Sequence, residues 1–285
     1  MLQPSEVFKK IKKILGDSTS PFLEARVRDV LAAAASAVNS ESWHLAIDEP
    51  GFLEIAMTLA RLQALGFPLA YLKGKVNFGE LELTVLPGVF IPRQETELLA
   101  EFIAATIEAK KLSREFKLLD VGTGTGALAL YLARRFKKAT VLAIDKNPLA
   151  VKNAALNARK LGLFNVRVEE ISYEDLIKGF KEPEFDVIVS NPPYIGEFEK
   201  LLLPKEVRLV EPEDALFSGF LGLEFYSLLF ESLPLVIKKE GLFFFEIGFN
   251  QESKIEEIAR SYGLEVEFFK DYAGVARGVW GQYHG

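Results

Sequence analysis

The chain has 285 residues, 49% hydrophobic and 26% charged, a balance expected of a soluble globular protein with one large and one small domain. It has no cysteine and only two histidines, His44 and His284, which excludes disulfides, thiolate zinc sites and cysteine nucleophiles and leaves little for a histidine-built metal site. A net charge of −6 argues against broad nucleic-acid binding, no apolar run is long enough to span a bilayer, and residues 1–6 lack a secretion signal, so a cytoplasmic protein working without metal is expected.

Residues 1–73 read as helices. Lys9, Lys10, Lys12 and Lys13 interleave with Phe8, Ile11 and Ile14 at helical spacing, the pattern of an amphipathic helix with a solvated basic face. Ser20-Pro21 reads as an N-cap followed by proline at the first helical position, and Leu23, Val27, Val30 and Leu31 continue with helical period. His44, beside Trp43, is expected in a short connection as a satisfied or solvated histidine. Gly51 to Leu65 is a further periodic segment, ended by Gly66.

Residues 74–92 change character. Val76, Phe78, Leu81, Leu83 and Val85, interrupted by Gly79-Glu80, predict a β-hairpin linking two domains. A helix is expected from Glu95 towards Lys110. Across 93–285, strand patterns at 117–121, 140–145, 166–170, 185–190, 242–247, 264–269 and 275–283 alternate with helical ones such as 127–136, 148–161 and 223–237. That alternation predicts βαβ units in a doubly wound, Rossmann-like parallel sheet.

Leu118 to Leu130 reads as strand, glycine-rich turn and helix, the turn being Gly122-Thr123-Gly124-Thr125-Gly126. Its glycines allow a sharp turn and close approach of a ligand. Nineteen residues beyond Gly126 the next strand ends in Asp145, whose carboxylate suits a ribose diol. A dinucleotide fits this geometry, with its pyrophosphate at the helix N-terminus. S-adenosylmethionine fits too, since its cationic amino-acid end would find a carboxylate in Asp120. Asp120, Asp145 and the acceptor motif of the fourth strand together favour the methyl donor.

That motif is Asn191-Pro192-Pro193-Tyr194, fixed behind the buried strand Phe185 to Ser190 because two prolines stop the strand. In an open sheet the carboxyl ends of the strands carry the ligands, and a reversal of strand order between the first and fourth strands would place the motif opposite the glycine loop. A planar amide, rigid carbonyls and an aromatic ring make a slot for a flat NH₂ group. Asn191 Oδ1 and the Pro192 carbonyl would accept its two N–H bonds and aim its lone pair at a methyl carbon, while Tyr194 stacks on its face. An amide and the exocyclic amine of adenine both satisfy this slot. Asp186, inside the strand, reads as structural.

On these residues the sequence resembles the release-factor glutamine methyltransferases (the HemK/PrmC family) along nearly its whole length. The landmarks are Pro68 to Leu72, Ile91-Pro92-Arg93 with Glu95-Thr96-Glu97, Asp120 to Gly126, Ser190 to Ile195, Glu206-Val207, Glu211-Pro212, Glu246-Ile247-Gly248 with Gln251, and Lys270 to Gly274. The resemblance implies a class I S-adenosylmethionine methyltransferase domain behind a small helical domain for substrate recognition. It implies methylation of the side-chain amide nitrogen (N5) of the Gly-Gly-Gln glutamine in class I peptide chain release factors, modulating translation termination. S-adenosylhomocysteine would be the product, with no metal, no membrane and no sequence-specific nucleic acid involved. Gly122 to Gly126, Asp145, Asn191 and an aromatic at Tyr173 would hold the donor, and Asn191 to Tyr194 the glutamine. Gln94 stands where the family usually has proline, Ser172 and Ala276 where it has acids, and Leu221 likewise.

Three rivals follow from the same residues: an adenine amino-methyltransferase, a non-catalytic cofactor-binding or ribosome-associated module, and an NAD oxidoreductase. An acidic chain with a small helical front domain lacks the basic surface the first would need.

Overall fold

The computed structural model describes residues 3–16, 22–112 and 115–285, with the backbone alone at 205 and 206. The expected cap at Ser20-Pro21 lies outside the described residues. The chain forms two compact units, residues 1–74 with 204–210, and residues 75–203 with 211–285.

In the smaller unit the helices are α1 (Pro4–Leu15), α2 (Leu23–Ala37), α3 (Trp43–Ala46), α4 (Phe52–Ala64) and α5 (Leu69–Lys73). Val7, Ile11 and Leu15 recur every fourth residue, so α1 presents one apolar stripe to Leu23, Val27, Val30 and Leu31 of α2 and Phe52, Ala56 and Ala60 of α4. The lysines take the opposite side, Lys9, Lys10 and Lys13 exposed and Lys12 paired with Glu24 at 3.3 Å. His44 sits within the single turn of α3 rather than in a connection, its ring 3.7 Å from that of Trp43.

The larger unit opens with the hairpin β1 (Lys75–Phe78) and β2 (Leu81–Thr84). Expected as a linker, the hairpin is instead tied into this unit. Asn157 Oδ1 accepts from Thr84 N–H and Asn153 Oδ1 from Leu86 N–H, both at 2.8 Å, while both side-chain amides donate to the Thr84 carbonyl. Two buried asparagines thereby satisfy backbone groups at the end of β2 in addition to its pairing with β1.

Next come α6 (Gln94–Ala109), β3 (Lys117–Val121), α7 (Ala127–Arg135), β4 (Thr140–Asp145), α8 (Pro148–Lys160), β5 (Val166–Glu170), α9 (Tyr173–Lys178) and β6 (Phe185–Ser190). A 3₁₀ turn (Glu197–Leu202), α10 (Lys205–Val210) and α11 (Glu213–Leu216) lead to α12 (Glu224–Val236), β7 (Ile237–Glu246), α13 (Glu252–Ser261), β8 (Glu267–Lys270) and β9 (Ala276–Gln282). The seven-stranded sheet has the order β5-β4-β3-β6-β7-β9-β8. Alternating residues divide its two faces. Leu118, Val187, Val189, Leu242 and Phe244 pack under α6 and α7, and Leu119, Ile188, Phe243 and Phe245 pack under α12 and α13.

The sheet is mixed, not wholly parallel as the alternation suggested. β3 to β7 run parallel, whereas β9 is antiparallel to both β7 and β8. The connection from β8 to β9 is too short for a crossover and closes as a hairpin, with Asp271 Oδ1 accepting from Ala273 and Val275 N–H. β7 also begins earlier than expected. Lys238-Lys239-Glu240 breaks the apolar pattern while the strand continues through an irregularity, Glu240 having φ 65°.

Candidate active site

The sheet reverses between β3 and β6, which are hydrogen-bonded neighbours in the register Val121↔Ser190. The loop after β3 and the segment after β6 therefore leave adjacent strands at the same edge. A cavity of about 650 Å³ opens there, within the usual size of a small-molecule site. Gly122, Thr123, Gly124, Thr125, Asp120, Asp145, Tyr173, Asn191, Pro193 and Tyr194 line it. Two expected residues do not. Pro192 is buried behind its neighbours, and Gly126 lies under the loop.

Gly122, Gly124 and Gly126 have φ of 71°, 58° and 86°, a region closed to most side chains. At Gly126 a Cβ would also stand 2.8 Å from the Leu130 side chain and 3.3 Å from Ala154, so α7 packs there without room for a methyl group. At Gly122 and Gly124 a Cβ would meet nothing within 4 Å, because the open side is the cavity.

Two carboxylates frame the loop. Asp145 Oδ2 accepts from Gly124 N–H and Oδ1 from Asn147 N–H, each at 2.9 Å, which leaves lone pairs on both oxygens for a diol. Burial pushes its pKa up against those two hydrogen bonds. Asp120 is buried; its Oδ2 accepts from Thr123 Oγ1 and Ala129 N–H, while its Oδ1 has no hydrogen-bond partner among the described residues. Burial raises its pKa to about 7. Asp120 lines the cavity and keeps one carboxyl oxygen without a partner among the described residues, which fits the ammonium of an amino-acid ligand, so the residues present suit S-adenosylmethionine.

Tyr173 stands at the first turn of α9, capped by Ser172, whose Oγ accepts from Asp175 N–H. Only 3% exposed, Tyr173 touches the cavity from within the apolar layer, and its hydroxyl lies 2.8 Å from Ser232 Oγ. Burial pushes its pKa up to about 12.

Packing and hydrogen bonds hold the slot itself. Ile195 N–H donates to the Leu216 carbonyl, Ser218 N–H donates to the Ile195 carbonyl, and Gln251 Nε2 donates to the Tyr194 carbonyl at 2.8 Å. A Cβ at Gly222, where φ is 73°, would collide with that same carbonyl. Behind the slot runs a buried chain of side chains. Asn191 Nδ2 donates to Thr96 Oγ1 at 3.0 Å, Thr96 Oγ1 donates to Glu246 Oε2 at 2.6 Å, and the Tyr194 hydroxyl donates to Glu246 Oε1 at 3.3 Å. Burial raises the Glu246 pKa to about 7 and, with that carboxylate alongside, raises the Tyr194 phenol far above its ordinary value. Arg93 pairs with buried Glu211 at 2.5 Å and lies over the Phe90 ring, fixing the approach to α6.

Reading the sequence for chemistry missed Thr96 and Glu246, noted only as landmarks of a resemblance. One signal was available: Glu246 is an acid closing the buried run Phe243-Phe244-Phe245, and a strand carries a buried acid there only with partners for it.

The methyltransferase small domain model matches residues 80–202. The chain is 36% identical over 258 residues to the release factor glutamine methyltransferase of Moorella thermoacetica, covering 90% of this chain and 83% of that one. It is 40% identical over 227 residues to the enzyme of the same name from Bacillus subtilis, covering 77% and 76%. Its fold is similar to that of the ribosomal protein L11 methylase of Lactobacillus delbrueckii subsp. bulgaricus, with a TM-score of 0.51 and 21% identity over 74% of this chain and 99% of that one. At 36–40% identity across three quarters or more of both sequences, this chain belongs to the release factor glutamine methyltransferase family.

Proposed function

We propose that this protein methylates the side-chain amide nitrogen (N5) of the Gly-Gly-Gln glutamine in peptide chain release factors, using S-adenosylmethionine, and so modulates translation termination in the cytoplasm. The observation that carries the reading is the orientation of Asn191. With its Nδ2 engaged by Thr96, its Oδ1 is left to accept from an incoming amide beside the glycine loop.

S-adenosylmethionine supplies an electrophilic methyl carbon. The loop Gly122 to Gly126 would hold it through backbone contact, Asp145 would accept from its ribose hydroxyls and Asp120 would meet its ammonium. Asn191 Oδ1 would accept one amide N–H, hold the nitrogen in line and stabilise the positive charge that grows on it, and the Pro192 carbonyl, set back from the cavity wall, would take the second N–H as the acceptor enters. Tyr194 would lie against the planar group, its hydroxyl anchored on Glu246. No strong base is required beforehand, because an N-methylated cationic amide loses its proton readily. The helical unit at residues 1–73 would contribute recognition of the release factor.

The test offers release factor, a Gly-Gly-Gln→Gly-Gly-Ala release factor and nucleic acid to the enzyme with labelled donor. One methyl group on the intact release factor and none on the other two is expected. Methyl incorporation into nucleic acid alone would overturn the reading.

A further inference from the structure

A carboxylate can only accept hydrogen bonds, and a threonine hydroxyl has a single proton to give. With Glu246 ionised, that proton goes to Glu246 Oε2, so the Thr96 oxygen must act as acceptor towards Asn191. The only side-chain atom of Asn191 able to donate is Nδ2. We infer that Thr96 and Glu246 are positioning residues for methyl transfer, a relay that fixes which end of the Asn191 amide faces the acceptor. This rests on the functional reading above only in what the acceptor is.

The relay is sensitive to a proton. Protonated Glu246 becomes a donor in a cluster whose donors and acceptors already match. When it donates to Thr96 Oγ1, the threonine proton turns to Asn191, and the amide must present its oxygen to Thr96 and its NH₂ to the cavity. An NH₂ facing an NH₂ repels the acceptor. The surroundings set where this happens. Glu95 of α6 disfavours charge on Glu246, Arg93 ahead of α6 favours it, and Arg277 of β9 lies 3.7 Å from Glu95. From the slot Tyr194 donates to the carboxylate, and from α12 the Tyr226 hydroxyl donates to the Glu246 carbonyl at 2.6 Å. Burial, the largest influence, brings the group to titrate near neutrality.

The experiment compares wild type, Thr96→Val, Thr96→Ser and Glu246→Gln. Between pH 6 and 8 the wild-type kcat should rise with pH, and Glu246→Gln should lose that dependence. Thr96→Val, equal in shape but unable to relay, should lower kcat by about 10²-fold with the donor affinity unchanged. Thr96→Ser, which keeps the hydroxyl, should restore most of it. The side-chain NH₂ resonances of Asn191, followed by nitrogen-15 NMR without substrate, should titrate in wild type and stay flat in Glu246→Gln. Flat Asn191 resonances in wild type, or equal losses in Thr96→Val and Thr96→Ser, would overturn the relay. Because the resonances need no acceptor, a wild type that methylates no release factor would overturn the functional reading alone.

Discussion

The two halves of the cavity, one proposed for the methyl donor and one for the acceptor, are built on opposite plans. The donor half is local and made largely of backbone: a glycine turn between β3 and α7, with Asp120 and Asp145 at the ends of two neighbouring strands. The acceptor half is a short rigid motif braced from a distance, by Thr96 from α6 and Glu246 from β7. Each half contains a buried carboxyl group that titrates near 7, yet the two are not alike. Glu246 has hydrogen-bond partners on both oxygens, whereas Asp120 Oδ1 has none among the described residues. A satisfied buried acid orients its neighbours. An unsatisfied one keeps an acceptor free for a ligand.

Separate substitutions should therefore damage separate functions. The largest effect is expected for Asn191→Ala, with kcat down by about 10³-fold and donor affinity by calorimetry largely intact; a matching loss of donor affinity would merge the two halves. Next comes stability against pH. Asp120 holds its proton in the folded state up to about pH 7 but releases it near 3.8 when unfolded, so its favourable contribution is complete below 3.8 and disappears as pH rises through 7. The swing amounts to about 4 kcal/mol. Urea melts of wild type and Asp120→Asn should show wild type losing ground as pH rises from 4 to 8, and parallel curves would refute the buried-acid account. Asp145→Ala is expected to weaken donor binding by about 10- to 100-fold while leaving affinity for a Gly-Gly-Gln peptide intact. The smallest effect belongs to neither half. Gln94 is the first residue of α6, and Arg93 before it is extended, with φ −103° and ψ 160°, a conformation that tolerates a following proline. Gln94→Pro should stabilise the protein by about 0.4–1 kcal/mol with activity unchanged, a rise in Tm that scanning calorimetry would resolve.

The donor half was largely legible because its information is contiguous. Gly122 to Gly126 declare a positive-φ turn, and the runs before Asp120 and Asp145 declare buried strands. The acceptor motif was legible as a strand stop, but its bracing was not: Thr96 and Glu246 are 150 positions apart, and no local period relates them. The antiparallel β8–β9 pair escaped for a similar reason. Apolar alternation fixes which side chains are buried but not strand direction, and here the short Asp271 turn decided it. Tyr173 shows the limit in reverse. The resemblance implied an aromatic at Tyr173, and the residue does line the cavity, but nothing in the sequence told that its hydroxyl is committed to Ser232 within the core.

The position of β9 between β7 and β8 also bears on the order in which the protein is assembled during synthesis. β3, β4 and β5 are all made by residue 170, and the glycine loop with both of its framing acids lies among them. When β7 is made its neighbour β6 already exists, but its other neighbour β9, whose Gly278 stands opposite Glu246, does not. Long-range strand pairing of this kind is slow and comes late. A growing chain would thus complete the donor half first, and the strand that steadies Asn191 would gain its second neighbour only about thirty residues after Glu246 is made.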